Sequence, residues 1–278
     1  MSTPPFLRDS AADLRVAAVD RPAPSAPSLS ILFPCYNDAG TIASMVSAAD
    51  EVACEAAGDY EIIVVDDGST DSSRDVLRGL ARHYDHLRLV FQERNGGYGA
   101  ALRAGFAAAT MDYVFYTDGD AQYDVFELRK LLPVLQDGVD VVNGYKIRRS
   151  DPWYRIVIGS LYCELMRLIF RFGVRDVDCD FRLMRRVALQ SIELRHNSGI
   201  ICLELVKKLE LAGYRFVDFP VHHYYRTHGR SQFFRIGRLV RTAVGVLQLW
   251  SELMLRRGNS GRASAYRDEA TRPSVSKG

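Results

Sequence analysis

Asp118-Gly119-Asp120 closes a run of aromatic and β-branched residues, Tyr113-Val-Phe-Tyr-Thr117, and continues into Ala121-Gln122-Tyr123-Asp124. Two carboxylates separated by one glycine, where a strand opens into a loop, can turn toward a single point. Like charges that close repel, so a cation joining them gives the spacing a purpose. Oxygen donors without thiolate or imidazole suit Mg²⁺ or Mn²⁺, and a loop site leaves coordination positions for phosphate oxygens. By itself the triplet reads equally well as a solvated Asp/Gly turn.

The elements around it decide between these readings. Leu29–Phe33, Glu61–Val65, Leu87–Phe91, Tyr113–Thr117 and Val139–Asn143 read as strands. Helical spacing fills the intervals at Thr41–Ala57, Ser69–Tyr84 (with Thr70 or Asp71 as N-cap), Tyr98–Thr110 and Phe126–Leu135. Strands alternating with helices predict an α/β fold, a mainly parallel sheet flanked by helices. Ligands of such sheets bind beyond the carboxyl ends of the strands. Those ends carry Pro34-Cys-Tyr-Asn-Asp38, Asp66-Asp67-Gly68-Ser69, Asn95-Gly96-Gly97 and Asp118-Gly119-Asp120, four polar clusters converging on one edge.

Beyond residue 150 the alternation ends. Trp153–Phe172 and Ile200–Ala212 read as helices, Asp176–Arg186 as irregular or extended, and Tyr214–Tyr225 as strand-like. Phe233–Leu255 reads as a long amphipathic helix with Arg235, Arg238 and Arg241 near its start. Core or oligomer packing is its ordinary role, and lying on an anionic membrane is the sharper one. The expected organisation is a mobile arm over 1–27, a catalytic domain over 28–232, the amphipathic helix over 233–256 and a loose tail over 257–278.

Composition narrows the function. A net charge of +2 over 278 residues offers no footprint for nucleic acid. Five cysteines without a C-x-x-C predict neither a disulfide framework nor a zinc site, which suits a reducing cytoplasm. No signal peptide and no spanning apolar stretch is read, so the expected place is the cytoplasm, at most peripheral on a membrane face. A dehydrogenase needs G-x-G-x-x-G after the first strand; Pro34-Cys-Tyr-Asn-Asp-Ala-Gly40 stands there instead, and no P-loop occurs. His222, His223 and His228 suggest a metal cluster, but neighbouring residues on a strand face opposite sides.

With these motifs in this order the chain resembles family 2 inverting glycosyltransferases. The resemblance rests on Pro34–Asp38, Asp66–Asp71, Asn95–Phe106 and Asp118–Tyr123. Asp176–Arg186 and Arg226–Phe233 narrow it to the dolichyl- or polyprenyl-phosphate mannosyltransferase branch. It implies a GT-A fold, a nucleotide-diphosphate sugar donor, Mg²⁺ or Mn²⁺, and a polyprenyl-phosphate acceptor. It also implies peripheral contact with the cytoplasmic face of a membrane, with a membrane-protein partner as an option. Carried over by position, Pro34, Tyr36, Asp38, Val65, Asp66, Asp67 and Gly97 border the nucleotide. Asp118, Gly119, Asp120 and Gln122 serve the diphosphate and metal; Arg226, Lys146 and Gln232 meet phosphate or sugar; Arg155 and Ser160 meet the acceptor phosphate. Asp38 stands where Glu is commoner, Lys146 where Arg is usual, and Gln232 where Lys is expected. The implied chemistry is one in-line displacement with inversion. An anionic phosphate acceptor needs no strong base, which suits a sequence without an evident His–carboxylate pair. Two alternatives stay open: transfer to a sugar hydroxyl, with Asp178 or Asp180 as base, and a non-catalytic nucleotide-sugar-binding subunit of a membrane complex.

Overall fold

The computed structural model describes residues 26–135, 138–149, 153–225 and 236–255. Arg226, Gln232, His228, nearly all of the 1–27 arm and the 257–278 tail lie outside them, as does the start of the expected C-terminal helix.

β1 (Ser28–Cys35), α1 (Ile42–Ala56), β2 (Asp59–Asp66), α2 (Ser73–Leu80), β3 (Leu87–Phe91), α3 (Tyr98–Ala108) and β4 (Tyr113–Thr117) form the first half. Next come α4 (Leu128–Leu131), β5 (Val141–Arg149), α5 (Trp153–Phe170), β6 (Phe181–Arg185), α6 (Arg186–Gln190), α7 (Ile200–Leu211) and β7 (Phe216–His223). α8 (Ile236–Trp250) ends in a single π turn, Ser251–Leu255. The seven strands make one sheet in the order β3-β2-β1-β4-β6-β5-β7. Every pairing is parallel except those of β6, which runs antiparallel between β4 and β5.

Central strands bury both faces, which is why they read as unbroken apolar runs. Ile31, Phe33, Ile62, Val64 and Phe115 pack toward α1 and α4. Leu32, Ile63, Val65, Val114 and Tyr116 alternate with them and meet α3 and α7 on the other face. A third cluster joins Met166 and Phe170 of α5, Leu203 and Val206 of α7, and Val246 and Leu249 of α8. Trp250 Nε1 also donates to Ile169 O at 3.2 Å, so α8 is fastened to α5. Among the described residues no helix is long and apolar enough to cross a membrane.

Three elements differ from the sequence expectation. Phe126–Leu135 is not one helix: Pro133 lacks the N–H that a continuous helix requires, and α4 is left flanked by 3₁₀ turns. The helix expected from Ser69 begins only at Ser73, because Asp71 Oδ1 accepts the Ser73 N–H at 2.9 Å and holds the preceding turn open. The stretch read as irregular or extended over Asp176–Arg186 contains β6, an interior strand.

Candidate active site

Register brings the strand ends together. Cys35 pairs with Asp66, Asp66 with Phe91, and Leu32 with Tyr116, two residues before Asp118. The four loops that follow are then tied to one another. Asn37, at φ 59, donates its N–H to Ser69 Oγ (3.0 Å), and its side-chain oxygen accepts from Thr70 N (2.8 Å) and Asp71 N (3.2 Å). Thr41 Oγ1 donates to Gly119 O at 2.8 Å, binding the first loop to the carboxylate turn. A side chain at Gly119 would place its Cβ 2.9 Å from Pro34 O, so the backbones approach as only glycine permits.

Asp38 is half-buried and accepts the Tyr36 N–H at 3.0 Å. The Val65 side chain is sealed in the core, which leaves its backbone at the edge. Asp66 and Asp67 are both buried and differ in their partners. Asp66 Oδ1 takes Arg74 Nε (2.6 Å) and Ser69 N (3.3 Å), while its buried Oδ2 has no hydrogen-bond partner among the described residues. Asp67 receives Gly96 N at 2.7 Å and Gly97 N at 2.9 Å, so both its oxygens occupy the N-terminal end of α3. Burial raises its carboxyl pKa, against the lowering effect of those two bonds. Gly97 sits at φ 97, and a Cβ there would come within 2.4 Å of Asn197 O. Glycine is therefore required both by conformation and by space.

The carboxylate pair is supported by groups that the sequence reading passed over. Tyr98 OH donates to Asp118 Oδ1 at 2.8 Å, and burial, then the charges of Asp118 and Asp180, hold its phenol well above its usual pKa. Asp120 is buried and accepts the Gln122 N–H at 3.1 Å. The Gln122 side chain donates to Tyr224 O (3.1 Å), while Tyr224 N donates to Gln122 O (2.8 Å), fastening the turn to the end of β7. Among the described residues no group of three His, Cys, Asp or Glu side chains forms a complete metal site.

A second polar cluster is built on the loop before β6. Lys146 Nζ donates to Asp178 O and lies 3.7 Å from Asp176 Oδ2. Asp178 has an exposed surface but is ringed by protein atoms. Desolvation first, with Asp180 and Asp176 adding repulsion and Lys146 opposing, pushes its carboxyl up to about 6. Next to this cluster is a cavity of about 410 Å³ lined by Lys146, Ile147, Ser160, Cys163, Arg175 and Asp176, among others. Arg155 stands in the first turn of α5, five residues or about 1.4 turns ahead of Ser160.

Two His–carboxylate pairs correct the expectation that none exists. His196 Nδ1 lies 3.0 Å from Glu204 Oε2, and His222 Nδ1 lies 2.9 Å from Glu127 Oε1. Glu204 also accepts the N–H groups of Arg195 and His196 and pairs with Lys208 at 2.6 Å. His223 turns the other way from His222, edge-on to Tyr123 with ring centroids 5.1 Å apart.

The fold and this edge define a sugar-nucleotide transferase architecture, and the chain belongs to glycosyl transferase family 2. The model of that family, described as Glycosyl transferase family 2, matches residues 30–193, more than half of the chain. The sheet and its flanking helices are the GT-A fold that the motifs implied. Solved structures of glucosyl-3-phosphoglycerate synthase from Mycobacterium tuberculosis have a similar fold. The complex with Mn²⁺, UDP and glucosyl-3-phosphoglycerate is 20% identical, with 84% of this chain and 82% of that chain covered and a TM-score of 0.60. The complex with Mn²⁺ and UDP-glucose is 21% identical over 84% and 81% of the two chains, again at 0.60. The complex with Mn²⁺, UDP and phosphoglyceric acid is 21% identical over 81% and 78%, at 0.59.

Proposed function

We propose that this protein transfers a hexose, with inversion, from a nucleotide-diphosphate sugar to a polyprenyl-type monophosphate, using Mg²⁺ or Mn²⁺. The observation that carries the acceptor assignment is the position of the cavity. Its wall holds a hydroxyl, Ser160, and two cations, Lys146 and Arg175, beside two carboxylates, Glu164 and Asp176; the hydroxyl and the cations are the groups a phosphate would meet. On the adjoining face of α5, about a third of a turn round the helix, Val157, Ile158, Leu161, Leu165 and Leu168 form an exposed apolar stripe. Leu161 is 70% and Leu168 77% exposed. A phosphate pocket bordered by an uncovered apolar stripe matches a phosphate that carries a long hydrocarbon chain. On this reading the protein works at the cytoplasmic face of a membrane.

In the same reading Pro34, Tyr36, Asp38, Val65, Asp66, Asp67 and Gly97 border the nucleotide, with Asp67 acting by shaping the Gly96-Gly97 backbone. Asp118 and Asp120 offer hard oxygen donors, each oriented by a neighbour, which fits Mg²⁺ or Mn²⁺ completed by diphosphate oxygens. Held by Asp118 and Asp120, such an ion would supply charge to offset that developing on the leaving nucleoside diphosphate. Gln122 borders that position, and Arg226 and Gln232, which follow β7 in sequence, are the residues assigned to phosphate or sugar. Arg155 and Ser160 serve the acceptor phosphate. Its anionic oxygen bonds to the anomeric carbon as the bond to the diphosphate breaks, and no proton has to be removed.

A second reading, transfer to a hydroxyl, is favoured by Asp178, whose carboxyl at about 6 suits a general base. The similarly folded synthase, crystallised with phosphoglyceric acid, illustrates a water-soluble acceptor. One experiment separates the two. Purified protein is given GDP-mannose or UDP-glucose with Mn²⁺, and either polyprenyl phosphate or 3-phosphoglycerate, and products are resolved chromatographically. Sugar transferred to the lipid is the expected outcome; product with the soluble acid alone refutes the lipid assignment.

A further inference from the structure

Three consecutive carbonyls ahead of β6 are each held by a different side chain. Asp176 O accepts from Asn143 Nδ2 at 3.1 Å, Val177 O from Arg182 Nη2, and Asp178 O from Lys146 Nζ. Arg182 connects this set to the core. Its Nε donates to Asn143 Oδ1 at 2.7 Å, its Nη1 donates to Tyr116 OH, and the same nitrogen lies 3.5 Å from Asp180 Oδ1. Asn143 is anchored in turn, its amide reaching Asp218 Oδ1 on β7 at 3.1 Å. The guanidinium thereby touches β4, β5 and the loop at once, and it is the largest fully buried side chain among the described residues.

Burying a guanidinium is costly, and a well-packed apolar residue at an interior strand position commonly gives equal or greater stability. What an apolar residue cannot do is fix a carbonyl, an amide and a carboxylate in one plane. The object so fixed is the loop whose Asp176 lines the acceptor cavity. That carboxylate in turn receives the Lys146 N–H at 3.4 Å and pairs with its ammonium.

We propose that Arg182 is a positioning residue for the acceptor: through Val177 O and Asn143 it locks the 176–178 backbone, keeping Asp176 and Lys146 in place as the wall of the acceptor cavity. The inference rests on the reading of that cavity as the acceptor site. It predicts an asymmetry, because among the described residues the donor side of the cleft, built from the β1, β2, α3 and β4 loops, is joined to the Arg182 guanidinium by a hydrogen bond through Tyr116.

The test uses Arg182→Lys, which keeps the charge and loses the fork, and Asn143→Ser, a milder change at the partner. Initial rates are measured against acceptor and donor concentration separately, alongside hydrogen–deuterium exchange of the whole chain. Arg182→Lys should raise the acceptor KM about tenfold, as expected for one lost charged hydrogen bond, with the donor KM within about twofold. Exchange should quicken over 174–181 while β1 and β2 keep their protection; Asn143→Ser should show the same pattern more weakly. An unchanged acceptor KM overturns the proposal, as do equal rises in both KM values with protection lost throughout. Should Arg182→Lys not fold, Asn143→Ser decides by the same criteria. Should the wild-type protein use no acceptor offered, the functional reading fails, and exchange alone judges the lock. Quickening confined to 174–181 upholds it, and uniform or absent change overturns it.

Discussion

Replacing Glu204 by Gln should destabilise the protein in a way that disappears in acid. Glu204 lies on α7 with its side chain out of solvent, where burial raises a carboxyl pKa. The hydrogen bonds from His196, Lys208 and the backbone N–H groups of His196 and Arg195 more than reverse this, bringing the pKa from 4.5 to about 2. The fall from 4.5 to about 2 corresponds to about 3 kcal/mol. Because the folded-state pKa is the lower one, that stability is complete above the unfolded pKa. It is lost as the pH falls from about 4.5 through about 2. At pH 3 about 1.4 kcal/mol should remain. The measurement is urea unfolding of wild type and Glu204→Gln at pH 7 and pH 3, taking the difference at each pH so that other carboxylates cancel. A gap of about 3 kcal/mol that roughly halves at pH 3 is expected. A gap under about 1 kcal/mol at pH 7, or one that does not change with pH, refutes the assignment of this stability to the charge. The variant should also weaken donor binding, because the loop that Glu204 holds supplies Asn197 O to the Gly99 N–H at the start of α3.

Asp120→Asn should remove metal-dependent transfer, with a melting temperature close to wild type; full activity in a transfer assay with Mn²⁺ would rule out its proposed role. Tyr98→Phe removes one hydrogen bond to a carboxylate, and kcat should fall about tenfold, in line with roughly 1.5 kcal/mol for such a bond. An unchanged rate would separate Tyr98 from the work of Asp118. Leu161→Asp with Leu168→Asp should leave the melting temperature within a degree or two of wild type, since exposed substitutions cost about 0.5 kcal/mol or less. The same pair should abolish flotation with anionic liposomes and reduce transfer to polyprenyl phosphate. Retained flotation would count against the α5 stripe as the lipid-facing surface.

Much of the fold was legible because central parallel strands are buried on both faces. Ile31–Phe33 and Ile62–Val65 then appear as short apolar runs between turn-forming clusters. β6 was hidden by its composition: Arg182 and Arg185 in Phe181-Arg-Leu-Met-Arg185 suggest solvent, yet Arg182 is buried by partners remote in sequence. The strand-end clusters announced the site, because register alone brings them together. The ties within it were not legible, since Tyr98 to Asp118, Asn37 to Thr70 and Thr41 to Gly119 join residues 20 to 78 positions apart. Glu204 with His196 escaped notice for a related reason. Eight residues apart across a loop and a helix start, they match no helical spacing. Nor does the sequence disclose that the Gly96 and Gly97 N–H groups are taken up by Asp67, 29 and 30 residues away.

The reversed direction of β6 makes the two halves of the cleft separable. In an all-parallel sheet, each loop at the functional edge follows a strand, so exchanging one loop redirects the next crossover helix. Here the chain reaches β6 from that edge, and Asp176–Asp180 precede the strand they lead into. The stretch between β5 and β6 thus leaves from the end of β5 and returns at the same edge through α5, without passing beneath the four strands that build the other side. A segment that departs and returns on one side can be lengthened, shortened or replaced as a cassette. Grafting another family member's stretch between β5 and β6 onto this scaffold should therefore transplant acceptor preference while leaving the choice of nucleotide sugar where it was.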